Sequence, residues 1–158
     1  MIYGPMTHPQ FLRALAAAGH GSKILLADAN YPHTTGVSER CELISLNFAP
    51  GMLDVIQILE VLKRVCPIER AEIMVPAPDA EQTEIPIHDE FKAQLPTTEF
   101  GELSRFDFYD AARSDDVGII VATGEQRLYG NLLLTVGVRQ PRLTQIEERR
   151  VGKECRSR

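Results

Sequence analysis

Five short apolar runs punctuate the chain: "KILLA" at 23–27, "CELISL" at 41–46, "AEIMVPA" at 71–77, "VGIIVATG" at 117–124 and "NLLLTVGV" at 131–138. Most are continuously apolar rather than alternating, which is the mark of strands buried on both faces. Segments with helical spacing separate them. Strands that alternate with helices, and need cover on both sides, specify an α/β protein with helices on both faces of a largely parallel sheet.

The helical segments can be placed from their punctuation. Thr7-His8-Pro9-Gln10 has the form of a capping box, Phe11, Leu12, Leu15 and Ala16 recur at helical spacing, and Gly19 is a natural stop, so a helix is predicted over 9–18. "PGMLDVIQILEVLKRV" places Met52, Val55, Ile56, Leu59 and Leu62 on one face and predicts a helix over 51–65. "HDEFKAQL" reads as a short helix, residues 99–105 as a further strand and "FDFYDAAR" as a helical turn or two.

With 158 residues, the chain has the length of one domain. Its charge is uneven. Residues 139–158 carry seven Lys/Arg against three Asp/Glu, leaving ten Lys/Arg against nineteen Asp/Glu in the rest. An acidic body lacks the clustered cations that phosphate backbones require, so DNA and RNA are not expected partners. No apolar stretch approaches the roughly 20 residues of a membrane span. The N-terminus lacks the basic-then-apolar order of a signal peptide, and a cytoplasmic location is expected. Cys41, Cys66 and Cys155 are sparse and odd in number, which points to free thiols rather than a disulfide framework. The domain is expected over 1–140. The basic tail 141–158 has no apolar stripe and is expected to be disordered, its composition being open to a foreign origin such as a read-through scar.

In α/β folds, ligands sit beyond the carboxyl ends of strands. Asp28, closing "KILLA", and Thr123-Gly124-Glu125, closing "VGIIVATG", occupy such positions. His20, in a glycine-flanked bend, can give and take a proton near neutral pH, or can simply cap helix carbonyls. Eight positions separate it from Asp28, up to about 26 Å of straight strand at ~3.3 Å per residue. Either the bend at 19–22 shortens that distance, or the two residues serve through different subunits. Tyr129, Gly130 and Asn131 offer a phenol, a close backbone approach and an amide, which together suit a hydroxyl-rich ligand or an ordinary polar turn. Arg105, among the aromatics of "SRFDFYDA", can hold a sugar hydroxyl, pair with Asp28 or form a structural ion pair. The remaining histidines, His8, His33 and His88, share no metal-ligand spacing, so no metal site is expected. A phosphate-binding Gly-x-x-x-x-Gly-Lys pattern is also absent.

Four stretches, "LAAAGHGSKILLADANYP", "RFDFYDAA", "VATGEQRLYGN" and the following "LLLTVGV", occur in the order found in the ribose pyranase / fucose mutarotase (RbsD/FucU-like) family, and the chain resembles that family over residues 5–140. The resemblance implies a three-layer α/β/α domain with a largely parallel, mixed sheet. It also implies ring-like homo-oligomers, often decamers, with sites between neighbouring subunits. The implied activity is cofactor-free interconversion of sugar anomers or ring forms. The family's proton-donating histidine falls on His20, its sugar-binding aspartate on Asp28, the arginine typical of the fucose branch on Arg105, and its Tyr-Gly-Asn segment on Tyr129, Gly130 and Asn131. "RFDFYDAA" and "LYGN" resemble the fucose side, whereas ribose-type members usually carry alanine where Gly130 stands. "ANYPHTTG" departs from the fucose-type loop and bears on which sugar fits. L-fucose mutarotation is therefore the leading expectation. The alternatives are a ribose-type pyranose/furanose conversion and a non-catalytic sugar-binding oligomer.

Overall fold

In the computed structural model, residues 3–80 and 83–140 are described; the basic tail lies outside them. The first helix, α1 (Pro9–Ala17), leads into β1 (Lys23–Ala27) and β2 (Glu42–Ser45). Then follow α2 (Val55–Leu62), β3 (Ile68–Met74), α3 (Pro86–Gln94), β4 (Glu99–Leu103), α4 (Arg105–Ala112), β5 (Val117–Ala122) and β6 (Leu132–Val136).

One six-stranded sheet runs in the order β2-β5-β1-β6-β3-β4. β6 is antiparallel to both of its neighbours, β1 and β3, and the other pairings are parallel. The two-residue period of a strand sorts the apolar runs between two cores. Ile24 and Leu26 of β1 join Phe11, Leu59 and Phe91 under α1, α2 and α3. Leu25 and Ala27 join Phe108 and Ala112 under α4, with Tyr31 from the loop after β1. This is the three-layer α/β/α arrangement with a mixed sheet that the sequence led us to expect.

The boundaries differ where local chemistry overrides periodicity. α1 is capped by His8, whose Nδ1 accepts from the backbone of Phe11 at 3.2 Å, because Pro9 already occupies the first helical position and leaves Thr7 one residue too early. Gln10 instead donates to the Leu43 carbonyl at 3.0 Å, tying α1 to β2. α2 begins at Val55, not 51. Gly51 and Leu53 take positive φ values of 73° and 51°, which no helix allows, and Asp54 then forms a capping box with Gln57. Met52, expected on the buried face, is consequently exposed. β3 starts three residues earlier than its apolar run, at Ile68, which pairs with Val136 of β6, while the pairing with β4 takes up the charged Arg70 and Glu72.

All parallel strands end at one edge of the sheet. There β1 delivers Asp28, β3 delivers Met74, β4 leads through Ser104 into Arg105, and β5 connects through residues 123–131 to β6. The opposite edge carries the start of β1, preceded by His20, and the start of β3, which bears Glu69.

Candidate functional site

The carboxyl edge opens into a cavity of about 280 Å³. That is close to the ~300 Å³ lower bound of small-molecule pockets. Four of the six residues singled out from sequence line it: Asp28, Arg105, Tyr129 and Asn131. Gly130, the fifth, is buried directly behind them.

Asp28 and Asn131 form the floor. The Asn131 amide donates to Asp28 Oδ2 at 2.7 Å and its carbonyl oxygen accepts from the Asp28 backbone at 3.0 Å, a two-point clasp between β1 and β6. The Asn30 backbone donates to Asp28 Oδ1 at 2.9 Å, and His33 donates from Nε2 to the Asp28 carbonyl at 2.9 Å. Asp28 is only 4% exposed. Burial pushes its carboxyl above the ordinary 3.8, outweighing the lowering by hydrogen bonds from Asn30, Tyr31 and Asn131 and by the nearby His33. A desolvated, oriented carboxylate with lone pairs left over is well made to accept hydroxyl protons from a neutral polyol.

Arg105 is the first residue of α4, whose cap is Ser104 accepting from the Asp107 backbone at 3.3 Å. Its guanidinium lies 5.8 Å from the centroid of the Tyr109 ring, one helical turn on. Among the described residues it enters no ion pair, and it lines the cavity. Of the sequence alternatives, the pairing with Asp28 is not formed, nor is another ion pair among the described residues.

Tyr129 adopts a left-handed backbone, with φ at 59°. A left-handed non-glycine residue costs of order 1–3 kcal/mol and persists where its surroundings over-determine it. Gly130, which follows, packs too closely for any side chain: a Cβ on it would stand 2.8 Å from Glu125 Cγ and 2.9 Å from the Arg127 carbonyl.

Glu125 is the buttress beneath this turn. Its buried carboxylate is held by Arg127 from Nε at 2.9 Å and Nη2 at 2.8 Å, and by the Arg127 backbone at 2.9 Å, while Arg127 Nη1 reaches Glu90 of α3 at 2.7 Å. Burial opposes ionisation of Glu125, but the Arg127 bonds win and hold its carboxyl below the ordinary 4.5. A lowered carboxyl contributes stability that is full above 4.5 and is lost as pH falls through its folded value. Arg127→Met strands the carboxylate, and we expect a loss of about 1–3 kcal/mol at neutral pH. Thermal melts should show the gap to wild type closing only as pH falls below 4.5 and through the lowered folded value of the Glu125 carboxyl; a gap that stays equal from neutral pH down through that range contradicts the buttress.

His20 stands apart. It is exposed in the bend before β1, with Nε2 at 3.1–3.2 Å from both carboxylate oxygens of Glu69. Five residues of β1 separate its edge from the cavity, roughly 16 Å at ~3.3 Å per residue. The bend at 19–22 therefore does not bring His20 to Asp28 within one chain.

Sequence reasoning missed several contributors. Tyr31, Met74, Tyr109 and Leu128 also line the cavity. Tyr109 was findable from its i+4 relation to Arg105, and Met74 from its place at the end of an apolar run. His88, which reaches the Tyr129 carbonyl from α3 at 3.1 Å, carried no local signal at all.

Residues 1–139 match the model of the RbsD / FucU transport protein family. The fucose mutarotase of Mus musculus is 34% identical over 140 residues, spanning 82% of this chain and 88% of that protein, and the Homo sapiens fucose mutarotase is 33% identical over 141 residues, with the same coverage. Among solved structures, the Streptococcus pneumoniae fucose mutarotase in complex with L-fucose superposes with a TM-score of 0.74 at 26% identity, covering 89% of this chain and all of that one. Bacillus subtilis RbsD complexed with D-ribose shares the fold, with a TM-score of 0.75 at 23% identity, covering 89% of this chain and 99% of that one.

Proposed function

The chain belongs to the RbsD/FucU family, and from that premise we propose that it is a cofactor-free isomerase that interconverts the α and β anomers of L-fucose or a close relative. The observation that carries this reading is the cavity at the carboxyl edge, where the Asp28–Asn131 clasp, the Arg105 guanidinium and the Tyr129 turn converge on a space of monosaccharide scale.

The chemistry asks for little more than a proton relay. As the hemiacetal opens, the ring oxygen takes up a proton, the bond from it to the anomeric carbon breaks, and the anomeric hydroxyl gives up its proton to leave an aldehyde. Rotation about the next carbon–carbon bond presents the other face, and reclosure returns the protons. A positioned acid/base group contributes about 10²–10⁴-fold to such a step. On this reading His20 is that group, Asp28 and Asn131 fix sugar hydroxyls, and Arg105 and Tyr129 close the sides.

His20 and the cavity occupy opposite edges of one sheet, which suits a site completed by a second copy. A head-to-tail contact that sets the His20 edge of one subunit on the cavity edge of the next is heterologous, and such a contact builds a ring where its rotation closes. Exposed Leu128, which lines the cavity, and exposed Phe106, next to Arg105, favour such a contact. A ring-like homo-oligomer, with a decamer as the family's common form, follows as part of the proposal, with residues 1–140 as its repeating unit. Free thiols at Cys41 and Cys66 suit the reducing cytoplasm. Among the described residues no helix is long and apolar enough to cross a membrane.

Saturation-transfer NMR on a panel of L-fucose, D-ribose and galactose tests the reading. We expect exchange between anomer peaks to be fastest for L-fucose. Preferential pyranose–furanose exchange of ribose would shift the assignment to the ribose branch, and binding without faster exchange would leave a sugar-binding oligomer.

A further inference from the structure

We propose that His88 is a positioning residue for the sugar-binding turn, its Nε2–H holding the plane of the Tyr129–Gly130 peptide from behind the cavity. The inference rests on the functional reading above. A carbonyl oxygen only accepts, so the 3.1 Å contact between His88 Nε2 and the Tyr129 carbonyl requires the proton on Nε2. The ring that makes this bond is itself fixed. It is 8% exposed, stacks on Phe91 at 6.2 Å between centroids, and sits in the first turn of α3, entered through Pro86.

The turn it holds needs holding. Tyr129 sits in the left-handed region while lining the cavity. Three anchors fix the turn. Asn131 is clasped to Asp28, and Gly130 is pressed onto Glu125, with Ile87 of α3 3.5 Å from the place of a Cβ. His88 secures the remaining peptide. α3 is thus the wall against which the recognition turn is set, although none of its side chains was identified from sequence. Burial and the nearby Lys92 favour the neutral ring, pushing His88 below the ordinary 6.5. The Tyr129 bond and the carboxylates of Glu102 and Asp89 oppose this.

The test compares His88→Leu and His88→Gln with wild type for L-fucose binding and anomer exchange. Leucine removes the donor and keeps volume, whereas the glutamine amide can donate to the same carbonyl. We expect His88→Leu to raise the L-fucose Kd by about 5- to 50-fold and His88→Gln to return it to within about threefold. A purely structural role predicts lower melting temperature with unchanged affinity in both variants, and that result overturns the proposal, as does equal weakening in both. Should His88→Leu fail to fold, long-range ¹H–¹⁵N spectra of the wild type decide. The proton on Nε2 of His88 supports the proposal, and the proton on Nδ1 overturns it. Wild-type protein that neither binds nor exchanges L-fucose sinks the functional reading and this proposal together; wild type and His88→Leu binding alike sinks this one alone.

Discussion

His20→Ala is expected to reduce L-fucose anomer exchange by about 10²–10⁴-fold while leaving sugar binding and melting temperature close to wild type. The reasons are geometric. His20 lies about a strand's length from the cavity of its own chain, so its loss removes nothing that lines that cavity. Its pairing with Glu69 is exposed on both sides and, like most such pairs, is worth about 0–1 kcal/mol. A stronger result follows from the proposed sharing of sites. Asp28→Ala should also be inactive, because the carboxylate proposed to orient the sugar is gone. Mixing the two inactive variants, with unfolding and refolding to scramble subunits, should restore roughly a quarter of the wild-type rate, since random assembly pairs an intact cavity with an intact neighbouring imidazole about that often. Full inactivity of the mixture, together with confirmed mixed oligomers, would falsify the shared site. Undiminished exchange by His20→Ala alone would remove the imidazole from the chemistry.

The sequence was most informative where a residue's identity and its place in the fold have the same cause. "KILLA" reads as a strand buried on both faces, because Leu25 and Leu26 stand side by side, and such a strand ends at the carboxyl edge of the sheet, which places Asp28 at the cavity. Arg105 and Tyr129 were marked by polar and aromatic chemistry at element ends, where function concentrates. What stayed hidden was set by long-range contact. Nothing within a few residues of His88 announces that its ring meets Tyr129, 41 positions away. Nor does the local pattern around residue 51 show that the α2 helix must wait until Val55, since the left-handed Leu53 is held there through the Gly124 backbone. The partition of His20 and Asp28 between opposite edges was open in the sequence for a related reason: the direction of the bend at 19–22 depends on its bond from Gly21 to the Val136 carbonyl, 115 residues on.

That same Gly124 contact gives the largest expected loss of stability. A Cβ on Gly124 would lie 2.0 Å from the Met52 carbonyl oxygen and 2.7 Å from that of Ala49, both backbone atoms with no rotamer to yield. The loop also shares two backbone bonds with this residue, Gly51 N to Gly124 O at 2.7 Å and Gly124 N to Leu53 O at 3.1 Å. Gly124→Ala must therefore push residues 49–53 off the end of β5. Overpacking of this kind costs about 1–3 kcal/mol, and each lost buried bond adds roughly 1 kcal/mol. We expect a total of about 3–5 kcal/mol, or a melting temperature lower by roughly 6–20 °C for a domain of this size. The control lies within β5, whereas Gly124 stands two residues past its end. A Cβ on Gly118 meets nothing within 4 Å, and φ there is not positive, so Gly118→Ala should be neutral or raise stability by up to about 1 kcal/mol through the unfolded chain. Equal melting of the two variants would show that the clasp between the β5 end and the 49–53 loop contributes nothing. A loss confined to Gly124→Ala, accompanied by weaker L-fucose binding, would show that the cavity depends on that loop staying seated beside β5.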